Sequence, residues 1–323
     1  MLDVMNQSDK QLMGKAAMVT GVSFVLSRFM LGNFLFTIPL MVLAPKISDR
    51  RYALVPVAAV ALLTTIISLF QARGALGDPA GRLLLGIGLF IPLVLLVASA
   101  VWIYLDDQRT MVRYLASAAF GVVASIGLVI WLSSGSASVA EVDAIMLETF
   151  SALFGQLDGN SGTLSARDLE MVYRMSVLVS GSILVPLTMG LVGFASFMAM
   201  SYLGRNDGDF TKRVSNWSIP YDTLWVFLGS WTVVLFMMIL KAPYLGRALV
   251  MNVALGSCVL YAIQGMAIVM HFVRRKGLPI SGGRLMISLF LIAFLVPGLN
   301  VLVVFLLPLL GVLETWIVFR KDE

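Results

Sequence analysis

Ser257, Tyr261, Gln264 and His271 share one long apolar run, residues 248–273. At 100° per residue their side chains fall within about 80° of one another, a polar stripe on an otherwise apolar helix. Two hydroxyls, a carboxamide and an imidazole on one face can hydrogen-bond a solute inside a membrane cavity. They can equally bond to neighbouring helices, each contact contributing on the order of 1 kcal/mol. Asn252, in the same run, adds a second carboxamide. His271 stands just before Arg274, Arg275 and Lys276, where a hydrated position at the membrane edge is the plain alternative.

Arg28 lies between Ser27 and Phe29 in the first apolar stretch, with Asn33 nearby. Polar groups at membrane depth are costly and mark function by default. The Arg28 guanidinium either holds a carboxylate or phosphate of a ligand or, if the first helix ends near Ser27, snorkels to the interface. Arg28, Asn252, Tyr261 and Gln264 are therefore the candidate substrate-binding residues. Asn252, Asn300 and Glu314 carry less signal than the other intramembrane polar residues, and Glu314 ahead of Trp316 and Arg320 suits an interfacial anchor with a local ion pair.

Other chemistry lacks its residues. The chain has one histidine and one cysteine, Cys258, and it contains no HExxH, no GxSxG, no Walker motif and no pair of intramembrane aspartates. We expect no enzyme, no metal centre and no cofactor, and any use of ATP would need another subunit. Asp158-Gly159-Asn160-Ser161-Gly162 has the flavour of a calcium loop. Gly162 stands where the third ligand belongs, Thr163 where the turn glycine belongs and Leu169 where the bidentate Glu belongs. A turn followed by a helix cap at Ser165, with Asp168 three residues on, fits better.

The elements that position these residues are membrane helices. With 59% hydrophobic and 13% charged residues, the chain has too little polar surface for a soluble domain, whose charged share is about 25%. Its net charge of +5 does not point to nucleic acid, because Lys and Arg sit at the ends of apolar runs instead of clustering on a polar domain. Ten apolar segments are legible, at 12–28, 30–44, 52–71, 83–105, 113–133, 174–203, 223–240, 248–273, 285–296 and 299–319. A crossing needs about 20 apolar residues, which predicts an all-α bundle of eight to ten spanning helices in one integral-membrane domain.

Cytoplasmic loops carry the excess of Lys and Arg. With alternate gaps and the C-terminus placed inside, fourteen basic residues lie inside and six outside, which predicts cytoplasmic termini. The polar start, residues 1–11, predicts no cleaved signal peptide. Two stretches strain the count. Residues 12–44, interrupted by Lys15, Arg28, Gly32-Asn33 and Pro39, form either a tight hairpin or one long broken helix. Residues 285–319 would make a helix of about 52 Å, too long for one crossing, and Pro297-Gly298 divides them into a short helix, a turn and a longer returning helix.

The excursion 134–173 separates N-terminal helices at 12–133 from C-terminal helices at 174–323. Val139, Val142, Ile145, Met146, Phe150, Leu153 and Phe154 recur at near-helical spacing opposite Glu141, Asp143 and Glu148. This predicts an amphipathic helix on the outer membrane surface. Ala17 and Gly21 on the first helix have the small-xxx-small spacing that lets helices approach closely, either for internal packing or as a docking face for another membrane subunit.

The second half carries a recognisable order of features. A Pro-containing helix, 184–203, leads through a basic loop to Trp217-Ser218-Ile219-Pro220. Leu260-Tyr261-Ala262-Ile263-Gln264-Gly265-Met266-Ala267 follows, then Arg274 to Lys276, and a tail from Leu310 through Glu314 and Trp316 to Arg320. Over about 180–323 the chain resembles the YybS-like family of bacterial inner-membrane proteins, a family of unknown function, with Glu314 where that pattern has Asp. The N-terminal half, with its small-residue first helix and Phe36-Thr37-Ile38-Pro39-Leu40, looks loosely like the substrate-binding subunits of energy-coupling-factor transporters. That likeness implies that Ala17 and Gly21 dock on a transmembrane coupling protein. Together these readings predict a multi-pass protein of the bacterial inner membrane, a transport component that binds a small solute or lipid precursor. The alternative is a non-transporting scaffold or accessory subunit of an envelope complex.

Overall fold

A computed structural model describes residues 7–29, 35–43, 50–157, 165–203, 212, 214–278, 280, 282–295 and 298–320. Among them the chain forms α1 (Gln7–Leu26), α2 (Thr37–Leu43), α3 (Arg50–Gln71), α4 (Pro79–Tyr104), α5 (Thr110–Leu132), α6 (Ala137–Leu157), α7 (Ala166–Leu203), α8 (Thr223–Ile239), α9 (Tyr244–Arg275), α10 (Gly282–Leu295) and α11 (Leu299–Leu313). No strand occurs among the described residues. The expected bend at Gly32-Asn33, the calcium-like stretch 158–163 and Pro297 lie outside them.

Helices α3, α4, α5, α7 and α9 are long and apolar enough to cross a membrane. The chain is thus a multi-pass integral membrane protein with an all-α fold. α8, at 17 residues, and α11, at 15, are shorter, spanning about 25 and 22 Å at 1.5 Å per residue. The apolar tract 285–319 is divided as its length demands. α10 and α11 pack against each other, Gly298 adopts φ 89° at the start of α11, and α11 stops at Leu313.

The main core lies among α2, α3, α4, α5 and α7, with Phe36, Leu40, Leu95, Trp102 and Val192 fully or almost fully buried. The seven residues of α2 pack on α1, α4 and α7, so α1 and α2 are two packed helices and not parts of one long helix. The turn from α4 to α5 is closed by Arg113. Its Nε and Nη2 donate to the Trp102 carbonyl at 3.2 and 2.9 Å, its guanidinium covers the Trp102 ring, and Asp106 pairs with it at 2.9 Å. Because the last carbonyls of a helix lack partners within it, this side chain completes the end of α4.

The amphipathic α6 forms as expected, with one change of face. Asp143 does not join Glu141 and Glu148 in water but turns onto α7. There it accepts from the Tyr173 hydroxyl and from Arg174 Nη1, both at 2.7 Å, while Phe150 packs on the Tyr173 ring. A carboxylate gains more from these two donors than from water alone. α7 begins with the expected cap: Ser165 Oγ accepts from the Asp168 amide at 3.2 Å and Asp168 Oδ2 accepts from the Ser165 amide at 3.2 Å. Satisfying both orphan donors fixes where this helix starts.

Candidate functional site

Helix α9 is the axis of the C-terminal half, packing on α7, α8 and α11. Asn252, Ser257, Tyr261, Gln264 and His271 are all buried, between 1% and 6% exposed. The stripe legible in the sequence is therefore the inward face of α9. Its members meet different neighbours and do not converge on one cavity among the described residues.

Gln264 has its carboxamide oxygen and both N–H groups engaged. Its oxygen accepts from the Ile219 amide at 3.0 Å, and its nitrogen donates to the Gly311 carbonyl at 3.2 Å and to Glu314 Oε2 at 2.9 Å. Glu314 is gripped from its other side by Arg320, whose Nε and Nη2 reach Oε1 and Oε2 at 2.6 and 2.5 Å. The remaining nitrogen of Arg320, Nη1, donates to the carbonyls of Ser215 at 2.7 Å and Trp217 at 2.8 Å. Arg320 and Glu314 are each 11% exposed, so this is a bidentate pair largely removed from water. The local ion pair expected from the sequence is present, and it is one link of a longer clasp. Through it the segments Trp217–Pro220, Leu260–Ala267 and Leu310–Arg320, 40 to 100 residues apart in the chain, meet in space.

Beneath the clasp α9 and α11 cross with backbone against backbone. A Cβ added at Gly265 would collide with the Leu307 carbonyl, and one at Gly311 with the Tyr261 carbonyl. Only glycine on both helices permits this approach, and it is this closeness that brings the Gly311 carbonyl within reach of Gln264. Tyr261 fills the adjoining space with Leu224 and Val312, its ring edge-on to Phe227 at 5.3 Å. Its hydroxyl has no hydrogen-bond partner among the described residues.

Asn252 faces another helix. Its oxygen accepts from the Val185 amide at 3.0 Å, and its nitrogen donates to the carbonyls of Gly181 at 2.7 Å and Ala248 at 2.8 Å. Ser257 donates to Ala254 within its own helix at 2.6 Å. Arg28 belongs to neither group. It is exposed in the turn that ends α1, with its guanidinium over the Phe24 ring, and α1 packs on α2 and α3. Ala17 and Gly21 also face outward, with no atom within 4 Å of a Cβ placed at Gly21. The structure thus separates the four candidate binding residues into three places: the end of α1, the α7 contact, and the clasp with its neighbouring aromatic cluster.

A shallow apolar groove of about 290 Å³ between α8 and α9 is lined by Trp225, Gly229, Ser230 and Val253 among others, and none of the candidate residues lines it. Among the described residues no group of three His, Cys, Asp or Glu side chains is placed to hold a metal ion. No protein-family model matches the chain, and neither the curated proteins nor the solved structures contain a match to it.

Proposed function

We propose that this integral membrane protein is a non-transporting scaffold or accessory subunit of a bacterial envelope complex. It sits in the inner membrane with both termini cytoplasmic and presents α1 to a partner helix. The observation that carries this reading is the state of Gln264 and Asn252. A solute-binding site built on those carboxamides needs them free for a ligand, and here each has its oxygen and both its N–H groups bonded to backbone groups or to Glu314. Polar groups used this way hold helices in register. The outward Ala17–Gly21 face of α1 supports docking, since small side chains let a second helix approach closely.

The test is photo-crosslinking in intact cells from a probe at Ala17. A discrete protein adduct is expected, with none from a probe at Phe70, which is exposed on α3. Adducts to lipid alone from Ala17, together with a stoichiometric small molecule released on denaturing the purified protein, would overturn the scaffold reading in favour of a transport component.

A further inference from the structure

We infer that α7 is a hinged helix, and that Asn252 of α9 is the pin that sets the hinge. α7 runs for 38 residues with Pro186 inside it, about 57 Å at 1.5 Å per residue. Pro186 has no N–H to give the Ser182 carbonyl, and its ring crowds that carbonyl, so the helix is weakened one turn before the proline. Gly181 and Val185 are the two ends of the neighbouring i to i−4 link. Asn252 engages both, donating to the first at 2.7 Å and accepting from the second at 3.0 Å. A carboxamide from α9 thus serves the backbone groups that an opening bend exposes, as proline-broken membrane helices require.

Two hydroxyls add to the bend. Ser182 donates to the Leu178 carbonyl at 2.7 Å and Thr188 to the Val185 carbonyl at 2.9 Å, a form of side-chain bonding that bends helices. A second tie from α9 lies one turn away, where the Tyr244 hydroxyl donates to the Val177 carbonyl at 3.5 Å, and it packs so closely on Gly181 that any Cβ there would strike it. Inward of the hinge, Val192, Ala195 and Ala199 are buried in the main core. Outward of it, Met171, Met175 and Val179 are more than half exposed, and the chief polar tie is the one to Asp143 of α6. The outer third of α7 is therefore tied to α6, which also packs on α4, while the inner part stays with the bundle, and α9 controls the angle between the two parts of α7.

Pulsed electron-electron spin-label distances in lipid nanodiscs test this, with Cys258 replaced by Ala and label pairs at Met171–Phe70 and Leu203–Phe70. A bend of 20–25° acting over about 22 Å moves the outer end sideways by on the order of 8 Å. In Pro186→Ala the helical link is restored, and the Met171–Phe70 distance is expected to shift by several ångströms while Leu203–Phe70 stays fixed. In Asn252→Ala the Met171–Phe70 distribution is expected to broaden, again with Leu203–Phe70 unchanged. Pro186→Ala improves the helix and so remains informative should Asn252→Ala fail to fold. An unchanged Met171–Phe70 distance in Pro186→Ala, or equal change in both pairs in either variant, would overturn the hinge.

Discussion

Alanine at Gly265 or Gly311 is expected to lower stability by about 3 kcal/mol, the upper end of the range for an overpacked core, because the obstacle cannot yield. At each position the obstacle is a carbonyl of the facing helix, the Leu307 carbonyl for Gly265 and the Tyr261 carbonyl for Gly311. A flexible side chain would rotate away, whereas a helical carbonyl moves only if the whole helix moves. Separating α9 and α11 also draws the Gly311 carbonyl away from Gln264, which already donates to it at 3.2 Å, so the clasp loosens along with the crossing. The check is the unfolding free energy of each variant in bilayers, with Gly246→Ala as the comparison. A Cβ at Gly246 meets only the Met237 side chain, at 3.5 Å, and its effect is expected to stay below about 1 kcal/mol.

Removing one partner of the Glu314–Arg320 pair is expected to cost about 2–4 kcal/mol, because the charge left behind remains largely shielded from water. Arg320→Met strands the Glu314 carboxylate and the carbonyls of Ser215 and Trp217 together. Glu314→Leu strands the guanidinium and one N–H of Gln264. The double variant Glu314→Leu with Arg320→Met carries no stranded charge, and its loss is expected to be clearly smaller than the sum of the two singles. Additive losses in this double-mutant cycle would show that the two side chains act independently and that the clasp contributes no coupling.

The sequence made the inward face of α9 legible because hydrogen-bonding residues at helical spacing stand out against an apolar background. It could not say what that face meets. The partners of Gln264 lie 45, 47 and 50 residues away, and a helical period carries no information about which distant backbone group arrives beside it. Asn252 shows the same limit more sharply. It reads as a binding residue until Pro186 is recognised as the source of the backbone need that it serves. Gly265, directly after Gln264, was open to notice as a packing position, but its counterpart Gly311 is identifiable only once α9 and α11 are seen to cross. On α6, spacing alone put Asp143 with Glu141 and Glu148, and the Tyr173 hydroxyl and Arg174 guanidinium redirected it. Where one element settles its own structure, as in the Ser165–Asp168 cap or the new helix that starts after Gly298 in the last apolar tract, sequence and structure coincide.

Gln264 holds α9, α11 and the 215–220 segment together, and the decisive measurement is the thermal unfolding of Gln264→Leu in lipid nanodiscs. The substitution leaves the Ile219 amide and the Gly311 carbonyl without a partner and removes one donor from Glu314, a loss of about 1–3 kcal/mol. The predicted result is a midpoint lowered by several degrees, with the same drop in protein stripped of every extractable small molecule. An unchanged midpoint in the stripped protein, with a drop only where a bound molecule is retained, would make Gln264 a ligand-binding residue and not a structural one.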